Sequence, residues 1–264
     1  AQGSYPLALY PHNYHFLAAT ATLEGKSQWA LNAANKMSKQ VNHKGMLVPE
    51  LATLQHYYSI PYFVMVKFGK WEEILKMPAV DTSLIYPGGI RHYARGMAYV
   101  GLKDWEKAKI ELNELKAVAS METLKTLTIW EINSLHTVAD IAQKVLEGEI
   151  LAAEGKSAES ISLLKQAVAL EDQLNYNEPP DWFFSVRHHL GAVLLSNNQP
   201  DEAIKVYLED LARFPKNGWA LSGLKQAYLN SRQSVKEDET EARFKEAWAH
   251  ADVKLKGSKV ESEK

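Results

Sequence analysis

Apolar residues recur along the chain in the three-to-four-residue step of amphipathic helices, and no segment reads as a strand pair joined by a hairpin turn. The step predicts helices, and the offsets between small and large residues predict how they pair. In LGAVLLSNNQPDEAIKVYLEDLARFP, residues 190–215, Gly191 is followed by Leu194, Ala203, Tyr207 and a closing Pro215. Small residues facing large ones let two antiparallel helices approach closely where they cross. The same offsets recur at Gly96, Tyr99, Ala108 and Leu112, and at Gly148, Leu151, Ser160, Leu164 and Ala167. They recur again at Ala18, Ala21, Ala30, Ala34 and Met37, with a weaker copy through Tyr62, Met65 and Ile74. The turns between helices share a grammar: LEGKSQWA, FGKWEEI, GLKDWEKA and AAEGKSAES.

This is the tetratricopeptide spacing. It predicts an all-α fold without a sheet: a right-handed α-solenoid of about five tetratricopeptide-like helix pairs and a C-terminal capping helix. The capping pair would be GWALSGLKQAYLNS and DETEARFKEAWAHADVKL, which match the offsets poorly. One domain is expected over residues 1–255, with insertions near 42–49 and 120–137, the second read as a long helix. The small, charged residues 256–264 are expected to be a disordered tail. Asp104 and Asp201 read as N-caps, and Pro179 and Pro180 as a helix start. Pro61 should kink or split the helix from about residue 49 to 68.

The bulk numbers narrow the class. With 264 residues, 46% hydrophobic and 23% charged, the chain is an ordinary globular protein. A net charge of −2, with acids and bases intermixed, gives no basic face for nucleic acid. No run reaches the length of a membrane span. The absence of cysteine excludes disulfides and thiolate sites and fits cytoplasm and periplasm equally. A chain beginning at Ala1 reads as a processed form or a piece of something longer. Seven tryptophans and twelve tyrosines point to tightly packed seams or an aromatic groove.

Four blocks carry a family resemblance: YPHNYHFLAATATLEG, IRHYARGMAY, NEPPDWFFSVRHHLGAVL and FPKNGWALSGLKQA. Together they resemble the C-terminal half of bacterial tetratricopeptide proteins similar to human tetratricopeptide repeat protein 38, to about Leu255. The resemblance implies an α-solenoid preceded by further helices that carry another histidine segment. It implies architecture and no particular reaction.

In a two-helix repeat the first helix lines the concave face. That places His12, His15, His56, Phe63, Tyr93, Met97 and His188 toward one groove. His12 and His15 share a helical face, and with His56 they are the candidate metal ligands. Zinc wants three protein ligands, so groove-shaping hydrogen bonds are the favoured role. Arg91, His92 and Arg95 form either a carboxylate- or phosphate-binding cluster or salt bridges between repeats, to Glu131 or Asp140. Trp130 and Asn133 could read a ligand's polar group, with core packing the alternative. Glu178 and Asp181 invite a catalytic role, but Asp181 as a helix cap and Trp182 as a plug between repeats are preferred. Trp219 reads as an inter-repeat wedge. No nucleophile elbow, phosphate loop or dinucleotide fingerprint appears, so no cofactor and no catalytic residue are expected. The expected function is a scaffold whose groove holds a peptide or protein, or the missing N-terminal helices. The alternative is a small-molecule or metal site in a groove narrowed by the insertions.

Overall fold

The computed structural model describes residues 10–260. Fourteen α-helices run in order along them: α1 (Tyr10–Leu23), α2 (Ser27–Gln40), α3 (His43–Met46), α4 (Thr53–Lys67), α5 (Trp71–Lys76), α6 (Ile85–Gly101) and α7 (Trp105–Ala119). They continue as α8 (Thr123–Thr126), α9 (Leu135–Ala153), α10 (Ser157–Asp172), α11 (Arg187–Ser196), α12 (Pro200–Arg213), α13 (Gly218–Asn230) and α14 (Ser234–Ala247). The architecture is all-α, built by packing helix on helix. Helices α1 and α2, α4 and α5, α6 and α7, α9 and α10, α11 and α12, and α13 and α14 form pairs, and each pair packs on the next.

The small–large offsets act where helices touch. A Cβ added to Gly191 or to Gly223 would lie 2.3 Å from the Tyr207 ring, so Tyr207 of α12 needs glycine on both α11 and α13. In the same way Gly148 of α9 receives Leu164 of α10.

The row of pairs curls until its ends meet. The indole N–H of Trp219 on α13 donates to the Thr22 carbonyl of α1 at 2.8 Å. Asp252, just past α14, accepts from the backbone N–H of Ser27 (2.8 Å) and Gln28 (3.1 Å), capping the start of α2. Its own N–H donates to the Gly25 carbonyl. Gly25 has φ +72° and lies against the Trp248 ring, so a side chain there would be both strained and obstructed. Across the ring, Phe68 at the end of α4 meets the Trp219 ring edge-on at 5.6 Å.

Several sequence expectations are corrected. The 120–137 insertion is no long helix: short α8 leads into a two-residue ladder, β1 (Thr128–Ile129) against β2 (Asn133–Ser134). Trp130 and Glu131 turn it with φ +53° and +59°, values that end any helix. The 42–49 insertion holds α3, followed by a 3-10 turn at Pro49–Leu51. Helix α4 runs unsplit through Pro61. Asp104 does cap α7, accepting from Lys107 N–H, but Asp201 lies inside the first turn of α12 behind Pro200. Pro179 and Pro180 belong to a loop, with a cis Glu178–Pro179 bond, and α11 starts only at Arg187. The tail is corrected as well. Ser258 is 1% exposed, and residues 256–260 lie among the helices for the reasons given below. The rest of the expected tail, 261–264, lies outside the described residues.

Candidate functional site

The loop between α10 and α11 fills the centre of the ring, and Asp181 anchors it. Buried Asp181 accepts from the side-chain amides of Asn133 and Asn177, each at 2.7 Å. It is a brace between the insertion hairpin and the loop, and caps no helix. Asn133 also donates to the Asn175 carbonyl and accepts from its N–H, so its amide is spent on the fold. Trp130 is 41% exposed and contacts Tyr57 edge-on. The brace presents Trp182 to Phe63 and Tyr93, at 5.5 and 5.7 Å between ring centres. These three rings are buried, as is Met97 of α6.

Beside them, His15 stacks on Phe183 and faces His56, with ring centres 5.3 and 5.7 Å away. His56 Nδ1 lies 3.0 Å from the Tyr86 hydroxyl. Burial pushes the His56 imidazole down to about 3 and His15 well below the usual histidine range. Both are neutral near pH 7, and the Nε2 atom of each has no partner among the described residues. His12 instead packs on Phe16 of its own helix. No group of three His, Asp or Glu side chains placed to hold a metal ion occurs among the described residues.

Two members of the basic cluster, His92 and Arg95, share one carboxylate partner. His92 Nδ1 and Arg95 Nε each lie 2.6 Å from the Glu111 carboxylate of α7, and Arg91 donates to the Pro78 carbonyl. The partner belongs to the second helix of the same pair, not to Glu131 or Asp140. With its guanidinium held by a 9%-exposed carboxylate, Arg95 has little to offer an incoming anion.

Among the described residues, clefts open into the ring, and a larger and a smaller one bear on function. The larger, about 550 Å³, is walled by Phe16, Ala19 and Thr20 of α1, by the 173–185 loop, and by His188, Asp210 and Asn217. Burial pushes two of its carboxyls up, Glu171 to about 7 and Asp181 to about 6. Glu171 accepts from the Val186 N–H at 2.9 Å and so caps the approach to α11. Because the folded state binds this proton more tightly than a free carboxyl does, Glu171 favours folding below about pH 4.5. That contribution is lost as pH rises through about 7. Glu171→Gln keeps an acceptor for Val186. It is expected to remove a loss on the order of 1–3 kcal/mol between about pH 5 and 8. Urea melts of both proteins at the two pH values check this.

The smaller cleft, about 200 Å³, lies between Phe63, Tyr93, Met97, Trp182 and Phe184, with Lys67, Glu149 and His189 on its wall. The C-terminal segment closes it. Lys259 Nζ meets both Glu149 oxygens at 2.6 and 2.8 Å, and His189 Nδ1 reaches the same carboxylate at 2.6 Å. Burial alone would raise the Glu149 carboxyl, but Lys259 and His189 more than offset it and hold it at about 2. The Ser258 hydroxyl donates to the His188 carbonyl and lies 2.8 Å from the Tyr207 hydroxyl. This pairing of polar groups in the interior is why the segment is ordered.

A buried polar chain joins the clefts. Lys67 Nζ is 2.8 Å from His188 Nδ1, 3.4 Å from the Ser258 carbonyl and 4.0 Å above the Trp219 ring. His188 Nε2 is 2.9 Å from Asn217 Nδ2, which donates to Asp210 Oδ2 at 2.7 Å. His188, read from sequence as facing the groove, is 1% exposed within this chain. Lys67, Glu149, Glu171 and Asp210 were not singled out from sequence. Lys67 alone carried a signal, one ammonium closing the apolar run YFVMV.

No helix among the described residues is long and apolar enough to cross a membrane. No family model matches the chain, and no curated protein matches it significantly.

Proposed function

We propose that the protein binds a small organic molecule inside a closed ring of helix pairs, and that the larger cleft is the site. The observation that carries this reading is that cleft. Its roughly 550 Å³ falls in the range of ligand pockets, and aromatic walls with buried titratable carboxyls give it both apolar surface and polar anchors. Phe16, Phe183 and Phe184 beside Glu171 and Asp181 suit an aromatic or aliphatic group bearing an amine, since ring faces and carboxylates both attract cations. A bound cation would favour ionised Glu171 and Asp181, so binding should release protons near neutral pH. The wider architecture proposed with it is a right-handed tetratricopeptide-type solenoid related to the bacterial proteins named above.

The test uses Thr20→Trp, which fills the cleft from the exposed side of α1. A panel of arylalkylamines and aliphatic amines is screened by thermal shift and calorimetry. At least one is expected to raise the melting temperature of the protein and to leave Thr20→Trp unmoved. If no amine binds, or if one binds Thr20→Trp equally well, the assignment fails.

A second reading has its own observation. The ring interior already holds a short non-helical segment, residues 256–260, by Ser258 and Lys259. A scaffold that takes a peptide or protein segment, or helices preceding this chain, would use the same chemistry: a small hydroxylated residue followed by lysine. A synthetic peptide of that pattern binding the protein more tightly after removal of residues 256–264 would favour it.

A further inference from the structure

The orientation of one amide fixes protons along the buried chain. Asn217 Oδ1 accepts the Trp219 backbone N–H at 3.1 Å as the cap of α13. Its Nδ2 therefore faces Asp210 Oδ2 and His188 Nε2 and donates to both. The reverse orientation would set an amide donor against the Trp219 N–H and an amide oxygen against a carboxylate. Since His188 Nε2 accepts, the single proton of its neutral ring is on Nδ1. That proton points at Lys67 Nζ, 2.8 Å away, and only an amine with a lone pair can receive it. The other arrangement, an ammonium donating to Nδ1 while Nε2–H turns to Asp210, uses a 3.5 Å contact in place of 2.9 Å and sets two donors face to face.

We infer that Lys67 is a free amine lining the smaller cleft, and that the cleft takes a small apolar aldehyde or ketone which Lys67 captures as an imine. The groups around it agree. Burial drives the amine well below the usual lysine range, Lys259 adds to this, and Asp210 opposes it. The rings of Trp219 and Phe184 keep water from the nitrogen, which makes a lysine nucleophilic, while the Trp219 face at 4.0 Å favours a cation and so opposes this in part. Phe63, Val66, Tyr93, Met97 and Trp182 give the carbonyl compound apolar walls. The step balances without another reactant. The nitrogen lone pair leaves its hydrogen bond with His188 and forms a bond to the carbonyl carbon. The carbonyl π pair moves to oxygen. Both amine protons transfer to that oxygen, which departs as water and leaves a C=N bond to Lys67.

This inference concerns the smaller cleft and stands apart from the amine site proposed above. The full chain is treated with benzaldehyde and cyanoborohydride at pH 7, and labelling at each lysine is followed by peptide mass mapping. An exposed lysine is neutral in about one molecule in 2,500 at this pH. Lys67 is therefore expected to label at least about tenfold faster than the exposed lysines of the same molecule. In denaturant that advantage should vanish, because the fold creates it. The readout is on the unsubstituted protein, so it does not depend on a variant folding. Lys67 labelling no faster than exposed lysines in the native chain, or keeping its advantage when unfolded, overturns the proposal.

Discussion

Trp219→Ala is expected to destabilise the protein by about 3–5 kcal/mol, the cost of emptying a tryptophan site in a packed interior. The indole is fully buried and touches three separate parts of the chain: Phe68 after α4, Trp248 after α14, and the Thr22 carbonyl of α1. Its loss leaves that carbonyl with only the Gly25 N–H as donor and removes one of the contacts that join the two ends of the helix row, those of Asp252 remaining. Lys67 also loses the ring face beneath it. Urea denaturation measures the effect, with Trp29→Ala as the comparison. Trp29 is 63% exposed, and its removal should change stability by no more than about 0.5 kcal/mol. Equal effects from the two would mean that Trp219 joins nothing.

Lys259→Met should give the second large effect. Glu149 is 8% exposed at its side chain, and Lys259 supplies two of the three short contacts to it. Removing one partner of a buried pair costs about 3–5 kcal/mol, because the other charge stays desolvated. His189 remains and the Lys259 side chain is 31% exposed, so about 2–3 kcal/mol is expected here. The pH dependence follows in sign. A carboxyl held at about 2 instead of 4.5 stabilises the fold above about pH 4.5, and the gain is lost as pH falls toward 2. In Lys259→Met the fold should be weaker at neutral pH, and its stability should change less across that acid window. Glu149→Gln in the same background should recover much of the loss, since no charge is then stranded. A variant as stable as the parent at pH 7 would show that the segment does not close the cleft.

The helix pairs were legible because their cause is local. Gly191 against Tyr207 and Gly148 against Leu164 are contacts between neighbouring helices, and fixed offsets encode them. Closure of the ring was not legible. Trp219 and Thr22, or Asp252 and Ser27, are far apart in sequence, and no periodicity links them. His15, His56, Tyr93 and His188, read from sequence as facing one groove, are all buried in the structure, and periodicity carries no sign of what covers them. Phe183 of the 173–186 loop stacks on His15, Trp182 packs on Tyr93, and Ser258 of the C-terminal segment bonds to the His188 carbonyl. For the segment itself, KGSKV reads as solvated on composition alone. Only the buried Glu149 carboxylate and the His188 carbonyl give Lys259 and Ser258 a reason to be inside. Asn133 and Arg95 were each read two ways, as ligand contacts or as groups used by packing and salt bridges, and the sequence named no partner that is found in the structure. Asp181 and Glu111 had already claimed them, and pairings of that kind are set by tertiary packing.

Closure of the ring is the claim on which both clefts depend, and the cysteine-free chain makes it simple to test. Cysteines placed at exposed Gln28 and His250, one near each end of the helix row, can carry nitroxide spin labels without competing thiols. With the Asp252 caps at Ser27 and Gln28 in place, the two labels are neighbours. The doubly labelled protein should show the dipolar line broadening that only neighbouring spins give, absent from either single label. Unbroadened spectra from the folded double-labelled protein would show that the ends stand apart and would contradict the closed ring.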